Sequence, residues 1–151
     1  MKRNSLLMIS TFAAILSACG QKLDSSKVPT EVKEAFTKRF PGVKEKWEKE
    51  NSDYEAEFKI NGVEQSSNFD FAGKWLVTET EVKTKDLPVA VIAVLKKDFI
   101  DFKVEEAEKV EHAPDELFYE LALEKGESNI ELKISYEGKI ISKEEKKETE
   151  H

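Results

Sequence analysis

The stretch Phe-Asp-Phe-Ala-Gly-Lys-Trp-Leu at residues 69–76 has a counterpart at residues 134–141, Ile-Ser-Tyr-Glu-Gly-Lys-Ile-Ile. Each is an alternating apolar run, a turn ending in Gly-Lys, and a second apolar run. Each therefore reads as a β-hairpin. A chain that writes one hairpin twice is constrained toward two similar units. The residues upstream agree. Val28-Pro29 opens a segment in which Val32, Ala35, Phe36 and Phe40 recur at helical spacing. Pro29 suits a first helical turn, and Pro41-Gly42 ends the helix. Leu87-Pro88 opens a second such segment with Ile92, Leu95 and Phe99 on one face. Its run VAVIAVL is β-branched and by propensity could be a strand. The polar Lys96-Lys97-Asp98 and its place in the order assign it to a helix.

Between helix and hairpin the period is two. Val43 to Glu50 reads as a strand. Tyr54, Ala56, Phe58 and Ile60 alternate with Glu55, Glu57 and Lys59. Asn61-Gly62 is a strong two-residue turn signal, because both positions need positive φ. Val63 to Phe71 returns, and Lys74 to Val82 follows. In the second unit the strands are Val104 to Glu111, a run around Tyr119, Leu121 and Leu123, a run from Ile130 to Tyr136, and Lys139 to Ser142. Ala113-Pro114-Asp115 and Lys125-Gly126-Glu127 are its turns. The expected fold class is α+β, a tandem repeat of a helix packed on a four-stranded antiparallel sheet. One continuous eight-stranded sheet is one arrangement of it. The expected units are 28–84 and 85–143, with a charged tail at 144–151.

The first eighteen residues have a different character. Lys2 and Arg3 precede the apolar run Leu6 to Leu16, which is too short to span a bilayer comfortably. Leu16-Ser17-Ala18-Cys19 is similar to a bacterial lipobox, so residues 1–18 read as a lipoprotein signal and Cys19 as the lipidation site. Cys19 is the sole cysteine, which excludes an internal disulfide and a thiolate metal site. Residues 19–27 read as a polar tether. Gly20 and Gln21 lack the aspartate associated with inner-membrane retention, which favours the outer membrane, facing the periplasm or the surface.

Without Lys2 and Arg3 the chain carries 22 basic and 31 acidic residues, a net charge of −9. That balance argues against a nucleic-acid partner and leaves the lipid as the membrane contact. No glycine-rich phosphate loop, nucleophile elbow or His-Cys pair is present, and no catalytic residue, cofactor or dedicated metal site is expected. Two-residue turns at Asn61-Gly62 and Ala72-Gly73 would pair Tyr54 with Phe69 and Phe69 with Leu76. They would place Glu57, Asp70, Trp75, Val77 and Glu79 on the face away from the helix, with Phe118 and Ile140 from the second unit. Trp75, Val77, Asp70, Glu57, Glu79, Phe118 and Ile140 are therefore the candidate partner-binding face. Trp75 is its anchor by residue type, unless it packs under a loop. A plainly solvated acidic face, a Ca²⁺ or small-ligand site, and a structural envelope role are the competing readings.

Val28-Pro29, Phe40-Pro41, Trp47, Tyr54-Glu55-Ala56, Asn61-Gly62, residues 69–76 with Thr78-Glu79, and Leu87-Pro88 together resemble the PepSY-like family over roughly residues 28–143. The resemblance implies small secreted or lipid-anchored bacterial proteins, frequent in Bacteroidetes, with a fold like that of the β-lactamase inhibitor protein. It further implies binding of a partner protein, with a peptidase as the candidate; the expectation for the chain is a non-enzymatic monomer. Ile140 stands where the first unit has Trp75, so one site shared by both units is not implied.

Overall fold

The computed structural model of the chain describes residues 21–147. The expected signal at 1–18, Cys19 and the end of the charged tail lie outside the described residues. The described chain is α+β. β1 (Gln21–Leu23) is followed by a 3-10 turn, α1 (Thr30–Arg39), β2 (Glu45–Glu50), β3 (Asp53–Ile60), β4 (Val63–Phe69) and β5 (Trp75–Glu81). A second 3-10 turn then leads into α2 (Val89–Asp98), β6 (Lys103–His112), β7 (Glu116–Lys125), β8 (Ser128–Ser135) and β9 (Ile140–Lys147). All nine strands form one antiparallel sheet in chain order. The VAVIAVL segment is helical, as its polar neighbours required.

The ninth strand comes from the segment read as a tether. Gln21 pairs with Lys49 and Leu23 with Trp47. Asp24 then ends the strand by accepting a 2.9 Å hydrogen bond from the Ser26 N–H, the side-chain turn typical of aspartate. Alternation is not visible in three residues, which hid this strand from the sequence pattern. The tail too is structured as far as Lys147, within β9.

Each helix has ten residues, too few for stability alone in water, so packing holds it. α1 inserts Val32 and Phe36 into a cluster with Val28, Trp47, Ala56, Phe58 and Phe69. The Phe36 ring meets Trp47, Phe58 and Phe69 edge-on at centroid distances of 5.6, 5.2 and 6.4 Å. Full burial of such a ring is worth about 2–3 kcal/mol. α2 packs through Val91 on an aliphatic cluster that includes Leu121, Leu123, Ile130, Leu132 and Ile134. Both helices lie on one face. Trp47, Ala56, Ser67, Thr78 and Glu111 are level across five strands, and Thr80, Lys109, Tyr119 and Ile134 form a neighbouring row.

Two hairpin turns lock onto the helix starts. Gly73, at φ +81°, lies so close to α1 that an added Cβ would sit 2.5 Å from the Glu31 carbonyl oxygen. Gly138, at φ +82°, meets the Ala90 carbonyl of α2 in the same way, at 2.8 Å. Only glycine combines positive φ with so close a backbone approach.

These turns correct the expected register. Asn61-Gly62 does pair Ile60 with Val63 and Tyr54 with Phe69. The turn after β4 is longer than two residues. Asp70 N donates to Lys74 O and Gly73 N to Asp70 O, each at 3.0 Å. A bulge follows, so Phe69 faces Trp75 rather than Leu76. The second hairpin repeats the pattern: Ser135 N donates to Lys139 O, and Ile140 faces the buried Ile134 just before a bulge. Because side chains alternate, one extra residue moves those before it to the other face.

Candidate functional site: the open face of the sheet

Among the described residues, no helix or loop layer covers the face opposite α1 and α2. Its centre lies where β5, β6 and β7 run side by side. Glu57, Ser66, Glu79, Val110 and Phe118 are level across five strands. Glu55, Asn68, Val77 and His112 form the row on one side, and Glu81, Glu108, Glu120 and Lys133 the row on the other. Val110, Phe118 and Glu120 are only 3%, 5% and 6% exposed, although they belong to neither helix-packed cluster. Long neighbouring side chains wall them in. The Lys133 ammonium, for example, sits 3.4 Å from the Phe118 ring centroid, where a cation meets the negative face of the ring.

The carboxylates beside this floor are electrostatically strained. Burial is the main cause that pushes Glu108 up to about 8, with Glu79, Glu106, Glu120 and Glu81 adding like charge. Burial likewise raises Glu79 to about 7, reinforced by Glu120, Glu55 and Glu50 and opposed by a hydrogen bond from Ser66. Glu55 reaches about 7 through burial and the charges of Glu50, Glu57 and Glu48, again opposed by Ser66. The Ser66 hydroxyl donates to Glu79 Oε2 at 3.3 Å. Among the described residues Glu108 Oε2 is a buried side-chain oxygen with no hydrogen-bond partner. A buried polar atom in that state costs folding free energy, so this face is not arranged for stability alone.

The expected site residues divide. Glu57, Val77, Glu79 and Phe118 do share the open face. Asp70 does not, because its Oδ1 accepts from the N–H groups of Ala72 and Lys74, both at 2.9 Å, and so forms the turn. Trp75 does not either. Its ring packs against the α1 cluster, Arg39 of α1 lies over it, and its indole N–H donates to Thr78 Oγ1 at 2.9 Å. The bulge put it opposite Phe69, and the candidate anchor is a packing residue. Ile140, 39% exposed, precedes the equivalent bulge and faces a core residue. Glu108, Val110 and His112 were missed. Their alternation along β6 is readable, but a helix separates β5 from β6, so no turn announces which residues face each other.

The chemistry of the face is charge and shape. His112 Nδ1 lies 2.8 Å from the Ala113 carbonyl oxygen, in a contact that orients the ring beside the turn. Among the described residues no group of three or more His, Cys, Asp or Glu side chains is placed to hold a metal ion. No described helix is long and apolar enough to cross a membrane.

Two short helices on one face of an antiparallel sheet, with the other face left open among the described residues, define a class of small sheet-faced proteins. The chain belongs to the family described as "Putative beta-lactamase-inhibitor-like, PepSY-like", whose model matches residues 16–65 and 53–142. It is similar to a BLIP-like protein from Bacteroides fragilis, with a TM-score of 0.71 and 25% identity over 81% of this chain and 89% of that one. A DUF2874 family protein from Bacteroides uniformis has the same fold at a TM-score of 0.73 and 20% identity, covering 78% of this chain and 88% of that one. So does a Bacteroides eggerthii protein described as "putative periplasmic", at 0.72 and 20%, again over 78% and 88%. No curated protein matches the chain.

Proposed function

We propose that this is a non-enzymatic, lipid-anchored envelope protein that binds a partner protein through the open face of its sheet. The observation that carries the reading is the floor of Val77, Val110 and Phe118 set among glutamates that folding alone would not choose. Such a face is completed by something outside the chain. The inhibitor-like description of the family supports a protein as the occupant, and a peptidase is the candidate class. The periplasmic description of a fold relative supports an envelope address. The lipobox-like Leu16-Ser17-Ala18-Cys19 supports acylation at Cys19, with the outer membrane favoured. We read residues 28–84 and 85–143 as two copies of one helix-plus-four-strand unit. They contribute to one composite face rather than to two equivalent sites.

The test is affinity capture from solubilised envelopes of the native organism with the mature protein as bait. Glu55→Lys places a positive charge on the open face, and Glu34→Lys inverts a charge on the exposed side of α1. A protein kept by wild type and Glu34→Lys but lost by Glu55→Lys is the expected result. Capture that is indifferent to Glu55→Lys, or background alone from every bait, sinks the reading.

A further inference from the structure

The well-exposed large apolar side chains are not scattered evenly. Among the described residues they are Phe71, Val89, Leu117, Tyr136, Ile140 and Ile141 at one end of the strands, and Val63 and Ile100 at the other. Strand direction makes the assignment. The turns after β4, β6 and β8 all fall at one end, and those after β3 and β7 at the other. Phe71 and Tyr136 sit in the first and third of those turns, 73% and 56% exposed. Leu117 follows the second turn, and Ile140 and Ile141 open β9 beyond the third. Val89 opens α2 beside Ala90, which touches Gly138 of the third turn. That turn is set back along the strands, since Ser135 is level with Glu57 whereas Phe69 is level with Tyr54. The rim therefore slopes by about 10 Å between the first and third turns, at about 3.3 Å per strand residue.

The chain enters the sheet at this same end. Gln21 is level with Lys49, Tyr54, Phe69 and Trp75, at the same end as the turn that carries Phe71 and three strands across the sheet from it. Cys19 precedes Gln21 by two residues. Two residues reach at most about 7 Å when fully extended. A lipid on Cys19 would thus be held against this rim with almost no slack, because the segment that reads as a tether is β1.

We propose that this end of the sheet is a membrane-contact rim, resting on the reading of Cys19 as acylated. Phe71 and Tyr136 enter the interfacial region of the bilayer that holds the anchor, and the strands rise away from it. Aromatic side chains favour that region, Tyr because its ring is apolar and its hydroxyl wet. Lys22, Lys74 and Lys139 at the rim are balanced by Asp70, Asp115, Glu116 and Glu137. No net positive charge therefore draws the rim to anionic lipid. The floor around Glu79 and Val110 then stands about 16 Å from Phe71, at about 3.3 Å per strand residue, and is level with Ser135 at the third turn. A partner on the open face must come within one small domain's height of the membrane.

The full acylated chain, reconstituted in phosphatidylethanolamine–phosphatidylglycerol vesicles, tests this. With Cys19 blocked by lipid, a single introduced cysteine takes an environment-sensitive fluorophore selectively. Phe71→Cys and Tyr136→Cys label the rim, and Ile100→Cys labels the far end. All three positions are exposed, so folding is preserved. Brominated lipids should quench both rim probes several-fold more than the Ile100 probe. Equal quenching at the two ends, in protein whose intact mass shows the acyl chains, overturns the rim and leaves the anchor standing. A mass without acyl chains overturns the anchor and the rim with it.

Discussion

The guanidinium of Arg39 lies 3.7 Å from the centroid of the Trp75 ring and closes the outer side of the α1 core. Beneath it a chain of hydrogen bonds runs inward. Trp75 Nε1 donates to Thr78 Oγ1 at 2.9 Å, Thr78 Oγ1 and Ser67 Oγ are 2.9 Å apart, and Ser67 Oγ donates to the Val77 carbonyl oxygen at 3.0 Å. Ser67 and Thr78 are 0% and 2% exposed, so each hydroxyl depends on the next. Thr78→Val keeps the shape but strands the indole N–H. A loss of about 1–3 kcal/mol is expected in urea unfolding. Arg39→Ala removes the exposed stacking partner and should cost only about 0.5–1 kcal/mol.

Trp75→Ala should therefore act on stability before it acts on binding. Loss of a half-buried indole that packs on Phe69 should cost about 2–4 kcal/mol. At a temperature where the variant remains folded, its partner capture should equal that of wild type. Capture abolished in a demonstrably folded Trp75→Ala protein would contradict the placement of the ring on the helix side.

The glycines at the turns make a graded test. At Gly73 an alanine meets both positive φ and the Glu31 carbonyl, which belongs to helix backbone and has little freedom to shift. At Gly126 the φ is +59° and an added Cβ meets nothing within 4 Å. Gly126→Ala should lose roughly 1 kcal/mol, the ordinary cost of a left-handed residue. Gly73→Ala should lose clearly more, of order 2–4 kcal/mol. Thermal unfolding of the two variants side by side gives the comparison, and equal losses would deny the close approach.

The open-face glutamates make stability depend on pH in an unusual sense. Glu108 is raised to about 8, and Glu55 and Glu79 to about 7, above the ordinary 4.5. Between those limits the folded chain binds more protons than the unfolded one. Their contribution is complete below the unfolded value and is lost as pH rises through the folded values. Melting temperature should therefore be higher near about pH 6 than near about pH 8.5. Glu108→Gln should flatten this difference and stabilise the protein by about 1 kcal/mol at the higher pH, the modest figure reflecting incomplete burial. A Tm that rises steadily from pH 6 to 8.5 in wild type would refute the arrangement.

Much of the fold was legible because local rules decide it. Helical spacing around Phe36, the prolines at the helix starts and alternation along β3, β7 and β8 are properties of short windows. The same holds for the Asn61-Gly62 turn, whose backbone demand alone set the pairing of Tyr54 with Phe69. Glu57, Val77, Glu79 and Phe118 were placed on the open face by that alternation.

What short windows cannot carry, the tertiary structure decided. One bulge after Asp70 turned Trp75 from the open face to the core, because the turn bends to meet the start of α1 and so takes an extra residue. Pairing of β5 with β6 brought Glu108 and Val110 beside Glu79, a meeting of strands that a helix separates in the chain. Docking of Gln21–Leu23 on β2 replaced a tether with an edge strand and drew the Cys19 end of the chain to one rim. The sequence by itself determined the elements and the faces within each hairpin, through periodicity and turn chemistry. Only long-range packing determined which hairpins meet, which rim the chain enters, and which glutamates are forced together.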